Sequence, residues 1–140
     1  MNPPTSGTSN APSFKLNHRD TEVTEKIIGA AIEVHRQLGP GLLESVYEAA
    51  LAYELTQLGL AVERQKPVPI AYKTLSFDEG LRLDLLVAGE VIVELKCIDT
   101  ILPIHEAQLL SYLKLTGLTV GLLINFKVSV LKQGIKRLVN

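Results

Sequence analysis

Cysteine, aromatic side chains and long apolar runs are all scarce in this chain of 140 residues. Cys97 is the only cysteine. That excludes an internal disulfide and an all-cysteine zinc site, suits a reducing compartment, and predicts a cytoplasmic protein. There is no tryptophan, and aromatic residues make up 5%. A base-stacking platform for single strands has little to build with. The longest mostly apolar run, Leu118 to Ile124, is far short of the ~20 residues of a membrane helix. The opening Met-Asn-Pro-Pro-Thr-Ser is polar and predicts no signal peptide. Acidic residues are absent from 107–140, which carry Lys114, Lys127, Lys132, Lys136 and Arg137, a balance of +5. Residues 1–106 balance at −6. Such a split marks either an anionic partner or an ordinary solvated face.

What remains is enough for one domain. Hydrophobic residues make up 46% and charged residues 21%, as in ordinary folded proteins. Residues 1–18 are rich in Pro, Ser, Thr and Asn and read as a flexible head before a domain of residues 19–140. A helix capped by Asp20 or Thr21 carries Val23, Ile27, Ile28, Ala31, Val34 and Leu38 at helical spacing. Gly39-Pro40 stops it. A second helix spans about Leu42 to Leu58, with Leu43, Val46, Tyr47, Ala50, Leu51, Leu55 and Leu58 on a broad apolar face. Short strands follow at 61–66 and 68–75, with a turn at Phe77 to Gly80. Strands at 81–87 and 91–97 flank Ala88-Gly89-Glu90, a hairpin signal. A helix opens at Pro103 and runs to about Leu115. Buried strand Val120 to Phe126 and a last strand at 135–139 complete the order. The expected fold is a mixed α/β sheet. Its strand–helix–strand unit from Val91 to Phe126 is a right-handed parallel crossover, and its other strands are antiparallel.

Glu94-Leu95-Lys96 is the most informative tripeptide. Alternate residues of a strand share a face, so a carboxylate and an ammonium stand side by side within an apolar run. Such a pair on a central strand is costly unless compensated. A three-residue hairpin loop puts Asp84 opposite Glu94, whereas a two-residue loop puts it opposite Leu95. Glu44, in the first turn of the second helix, borders the buried stripe as a third acid. It also fits a plain favourable charge at a helix N-terminus. Two carboxylates ~4 Å apart repel by roughly 4 kcal/mol at an effective dielectric near 20. Lys96 offsets one, and a further acid needs a proton or a hard cation such as Mg²⁺ or Mn²⁺. Outside a site, the same residues are ordinary surface ion pairs.

Gly41-Leu-Leu-Glu44-Ser-Val-Tyr47, Asp84, Glu94-Leu-Lys96 and Gln108-x-x-x-Tyr112 together resemble the GxxExxY protein family, placed in the PD-(D/E)XK nuclease superfamily. Leu83 stands where that superfamily's signature has proline. The resemblance implies a restriction-endonuclease-like core of helix, three antiparallel strands, helix and strand, here with an extra N-terminal helix and C-terminal strand. It implies a divalent-metal-dependent nuclease acting on DNA, with RNA the second choice. A nucleic-acid- or protein-binding module that has lost turnover is the alternative. Asp84, Glu94 and Glu44 would hold Mg²⁺ or Mn²⁺, Lys96 would act on water or phosphate, and Gln108 would support the site.

Tyr47, three residues after Glu44, can hold that carboxylate, contact a phosphate or simply pack. Gln108 and Tyr112 share a helix face and can jointly line the site. His35 reads as a packed or capping histidine, Cys97 as a small hydrophobe, and Asn125 as a residue that satisfies backbone groups. Expected partners are nucleic acid and, for a chain this short, a second copy or another protein.

Overall fold

The computed structural model describes residues 18–140. The expected head therefore lies outside the described residues, except for His18. The elements are α1 (His18–Leu38), α2 (Glu44–Gln57), β1 (Val62–Tyr72), β2 (Leu75–Val87), β3 (Val91–Lys96), α3 (Pro103–Thr116), β4 (Val120–Asn125), a 3₁₀ turn (Leu131–Gly134) and β5 (Ile135–Val139). α1 starts before the expected caps. Asp20 and Thr21 fall in its first turn, a place that polar residues also favour.

The five strands are ordered β1-β2-β3-β4-β5. β3 and β4 run parallel across the α3 crossover, and every other neighbouring pair is antiparallel. This is the mixed sheet expected. α1 and α2 cover one face, packing Ile27, Val34, Leu51 and Leu55 on Val87, Val93, Leu95 and Leu122. α3 covers the other, packing Leu109 and Leu113 on Ile92 and Leu123. All six residues of β4 are buried, which explains its unbroken apolar run. A Cβ on Gly121 would lie 2.9 Å from Leu109 Cδ1, so glycine lets α3 settle onto β4.

Two local expectations are corrected. β1 is a single strand through Pro67 and Pro69. It is a sheet edge, where a missing N–H costs no ladder bond on the open side. The turn falls at Lys73-Thr74, because Tyr72 pairs with Leu75. Phe77 to Gly80 instead lies at a bulge, where the register shifts between Val68 and Ile70. The apolar face of α2 is also narrower than expected. Leu43, Val46 and Leu58 are exposed, and Glu48 takes a buried place in the stripe.

Two connections are tied by side chains. Tyr47, fully buried, stacks on Phe126 with ring centroids 4.4 Å apart. Its hydroxyl donates to the Gly39 carbonyl and accepts from the Leu42 N–H at 3.1 Å. It thereby clasps the loop that launches α2 and has no lone hydroxyl left for a phosphate. His35 packs near Phe126, with Nε2 2.8 Å from the Val128 carbonyl. Asn125, at the end of β4, accepts from the Ile98 and Lys127 N–H groups at 3.1 and 3.2 Å and donates to the Ile98 carbonyl at 2.8 Å. Asn125→Ala leaves these three part-buried groups without their partner. It is expected to lower stability by on the order of 3 kcal/mol, read as a lower urea midpoint at unchanged slope. An unchanged midpoint would mean that water replaces all three bonds.

Candidate functional site

The hairpin loop has three residues: Val87 pairs with Val91, Leu86 with Ile92 and Leu85 with Val93. Both Ala88 (φ 56°) and Gly89 (φ 67°) adopt left-handed backbone there. Of the two registers open to the sequence, this one places Asp84 opposite Glu94.

The ladder between β2 and β3 ends at Leu85 and Val93. Beyond it, two carboxylates take over the backbone's partners. The Asp84 N–H donates to Glu94 Oε2 at 2.9 Å, and the Leu95 N–H donates to Asp84 Oδ2 at 2.8 Å. Each acid is thus fixed through one oxygen by the backbone of the opposite strand. β2 also changes faces here. Leu81 and Leu83 pack with α3, whereas Leu85 and Val87 pack with α1 and α2. Strict alternation would have put all four on one side. Asp84 sits at the crossing point, so its side chain reaches across to β3.

α2 brings the other acids. Glu44 lies at its first position, exposed at the rim. Glu48, one turn on, is buried at 8% exposure. Its carboxylate accepts from Arg64 Nε at 3.0 Å and from Gln65 Nε2 at 2.6 Å. The same Gln65 nitrogen stands 3.5 Å from Asp84 Oδ1. Lys96 is half-buried and forms no ion pair among the described residues, although its charge reaches Glu44, Asp84 and Glu94.

Burial first, and crowding of acids second, set their protonation. Burial, then the Asp84 charge, pushes the Glu94 carboxyl up to about 8. Burial, then the Glu48 charge, raises Asp84 against the pull of the Leu95 N–H. Partial burial and the Asp84 charge raise Glu44, against Lys96. α3 supplies Tyr112, whose hydroxyl is raised by burial first and by Glu94 and Asp84 next. Tyr112 therefore lies within reach of the charge of both acids. Gln108, one turn earlier, is exposed and makes no side-chain hydrogen bond among the described residues.

Cys97 lines a cleft of about 270 Å³ with Glu44, Lys127 and the Pro40–Leu43 loop. Burial and the Glu44 charge raise its thiol, which keeps it an inert neutral group. Three of the five C-terminal cations have internal partners. Lys127 pairs with Asp99 at 2.7 Å, Lys136 with Glu106 at 3.1 Å, and Arg137 donates to Thr24 Oγ1 at 3.0 Å. Lys114 and Lys132 have no such partner among the described residues.

Asp84 on β2 and Glu94 and Lys96 on β3 follow one another in that order, with the two acids tied across the strands by backbone N–H groups. A profile of the PD-(D/E)XK nuclease superfamily matches residues 21–138. The chain belongs to that superfamily. No curated protein and no solved structure matches it. As a PD-(D/E)XK domain it carries the fold of that nuclease superfamily. Among the described residues no helix is long and apolar enough to cross a membrane.

The donor set at these two acids suits a hard divalent cation. Asp84 and Glu94 offer hard carboxylate oxygens side by side, raised by burial first and by neighbouring acids next. Among the described residues no three His, Cys, Asp or Glu side chains form a closed cage, so Glu44 does not complete one. Two carboxylates suit Mg²⁺, which keeps several waters in its shell.

Sequence reasoning missed Glu48 and Gln65. Glu48 was visible as the residue one turn after Glu44 on the same helix. Gln65 had no signal, because its role depends on the β1–β2 register.

Without divalent cation, Glu94 shifts stability with pH. Its carboxyl titrates at about 8 in the folded chain against an ordinary 4.5. Between these values the folded state holds the extra proton. This contribution is therefore full at low pH and is lost as pH rises through 8. The metal-free protein is expected to resist urea better at about pH 5.5 than at about pH 8.5, with Glu94→Gln flattening the difference. Stability that rises with pH in the wild type, unaltered in Glu94→Gln, would contradict the raised carboxyl.

Proposed function

We propose that this chain is a divalent-metal-dependent nuclease of the GxxExxY group that hydrolyses phosphodiester bonds in DNA. One observation carries the reading. Asp84 and Glu94 are each fixed through one oxygen by a backbone N–H of the opposite strand, and beside them stands a lysine without an ion pair among the described residues. A structural ion pair would bring Lys96 onto one of the acids. Here the ammonium is left for an anion that enters from outside.

Asp84 and Glu94 would hold Mg²⁺ or Mn²⁺, with Glu44 at the rim adding charge. The chemistry supplied by such an ion is activation of water and stabilisation of charge on a phosphoryl oxygen. Lys96 orients the attacking water or offsets charge that builds on the phosphate. Tyr112 and Gln108 line the α3 side, where the Tyr112 hydroxyl, kept protonated, donates to a phosphate oxygen. Tyr47 supports the site indirectly by fixing the loop before Glu44. The lone Cys97 thiol suits the reducing cytoplasm.

Purified protein is to be incubated with DNA and RNA substrates in Mg²⁺, Mn²⁺ or EDTA. Cation-dependent cleavage of DNA is expected. Asp84→Asn, Glu94→Gln and Lys96→Ala, each folded, should reduce it by on the order of 10²-fold or more. Cleavage of RNA alone would change the substrate. Nucleic-acid binding without cleavage under any cation would favour a silent binding module.

A further inference from the structure

We propose that Gln65 is a positioning residue of this site: its carboxamide clips Glu48 of α2 to Asp84 of β2, and its left-handed backbone is what brings it there. The inference rests on the cation-binding reading above and adds to it the part played by the edge strand.

Gln65 lies on β1 between Arg64, paired with Leu85, and Lys66, paired with Leu83. It is therefore the β1 residue that faces Asp84. Its φ is 49°, in the left-handed region that residues other than glycine seldom adopt. Asn and Gly occupy that region more easily. Gln is neither, so the position favours side-chain reach over backbone comfort.

The reach is used. Nε2 lies 2.6 Å from Glu48 Oε1 and 3.5 Å from Asp84 Oδ1. One amide nitrogen carries two hydrogens and no charge. It can hold two mutually repelling carboxylates without cancelling either. A lysine or arginine there would add a charge that competes with a cation. Among the described residues the cation on Glu48 is Arg64, which takes the other oxygen, Oε2, at 3.0 Å. The Gln65 carbonyl accepts from Arg82 Nη1 at 3.1 Å, which holds the left-handed turn from outside. Asp84 is then restrained on both sides, by the Leu95 N–H on Oδ2 and by Gln65 on Oδ1. Both restraints leave its negative charge intact.

The test uses the full chain and the variants Gln65→Asn and Gln65→Gly. Both relieve the backbone, and neither spans the gap between the two carboxylates. Melting temperature is measured without metal, and Mn²⁺ affinity is measured by calorimetry at one pH, with wild type and Asp84→Asn as references. Relief of strain and release of the repelling acids offset the lost hydrogen bonds. The variants should therefore melt at or above the wild-type temperature, yet bind Mn²⁺ about 10-fold or more weakly, as loss of a residue that orients a ligand does. Affinity within about twofold of wild type would overturn the clip. A large fall in melting temperature together with affinity would make Gln65 purely structural and also overturn it. Wild type that binds Mn²⁺ no better than Asp84→Asn would overturn the cation reading itself, and the clip with it.

Discussion

The site depends on the place where β2 and β3 stop sharing backbone hydrogen bonds. Past Leu85 and Val93 the ladder ends, and two N–H groups would be left in a poorly hydrated interior. Carboxylates of Asp84 and Glu94 accept them instead. The exchange satisfies the backbone, which buried amides require. It also draws two acids together that would otherwise repel. Continuity of the sheet and chemistry of the site are thus the same two hydrogen bonds. The face change of β2 between Leu83 and Leu85 follows from the same break, because a strand released from one neighbour is free to twist.

Acidic groups are then concentrated: Glu48 is paired with Arg64, and burial holds Glu94 protonated up to about pH 8. Glu44 and Glu48 come from α2, Asp84 and Glu94 from the sheet, and Lys96 alone stands among them without a tight partner among the described residues. A cluster made for stability would pair its charges. This one raises its own carboxyls by burial and mutual repulsion, and it includes a left-handed non-glycine residue at Gln65. Strain and excess charge of one sign in one place mark a site that a charged ligand completes. The rest of the molecule supports it quietly. Tyr47 and Asn125 close the loops beside it, and Gly121 lets α3 approach close enough to bring Tyr112 near the acids.

The basic C-terminal quarter shows how a linear charge pattern can mislead. Read along the chain, it looks like a surface for an anionic partner. In the fold, Lys127, Lys136 and Arg137 are turned onto Asp99, Glu106 and Thr24. All three partners lie in the acidic first part of the sequence, so the two halves pair with each other across the sheet.

Most of the fold was legible because its signals are local. Gly39-Pro40 and Gly117 end helices, Pro103 begins one, the unbroken run of β4 needs burial on both faces, and the order of strands around α3 implies a parallel crossover. The acids and lysine were legible for a similar reason: charge inside an apolar strand is anomalous wherever the strand ends up. What depended on register was not legible. Residues 67–80 contain two prolines and an Asp-Glu-Gly that look like breaks, yet pairing along the 11-residue edge strand outweighs them and turns the break into a bulge. The acidic content of α2 could be counted, but only packing decided that Glu48 goes inward while Leu43 and Val46 stay out. Gln65 lies beyond any sequence rule, because its meaning comes from a neighbour 19 residues away. The sequence by itself determined which chemical groups the chain carries and which segments are helix or strand, since propensity and periodicity act over a few residues. Tertiary structure alone decided which of those groups meet, since pairing register and the twist at Asp84 are set by contacts between distant parts of the chain.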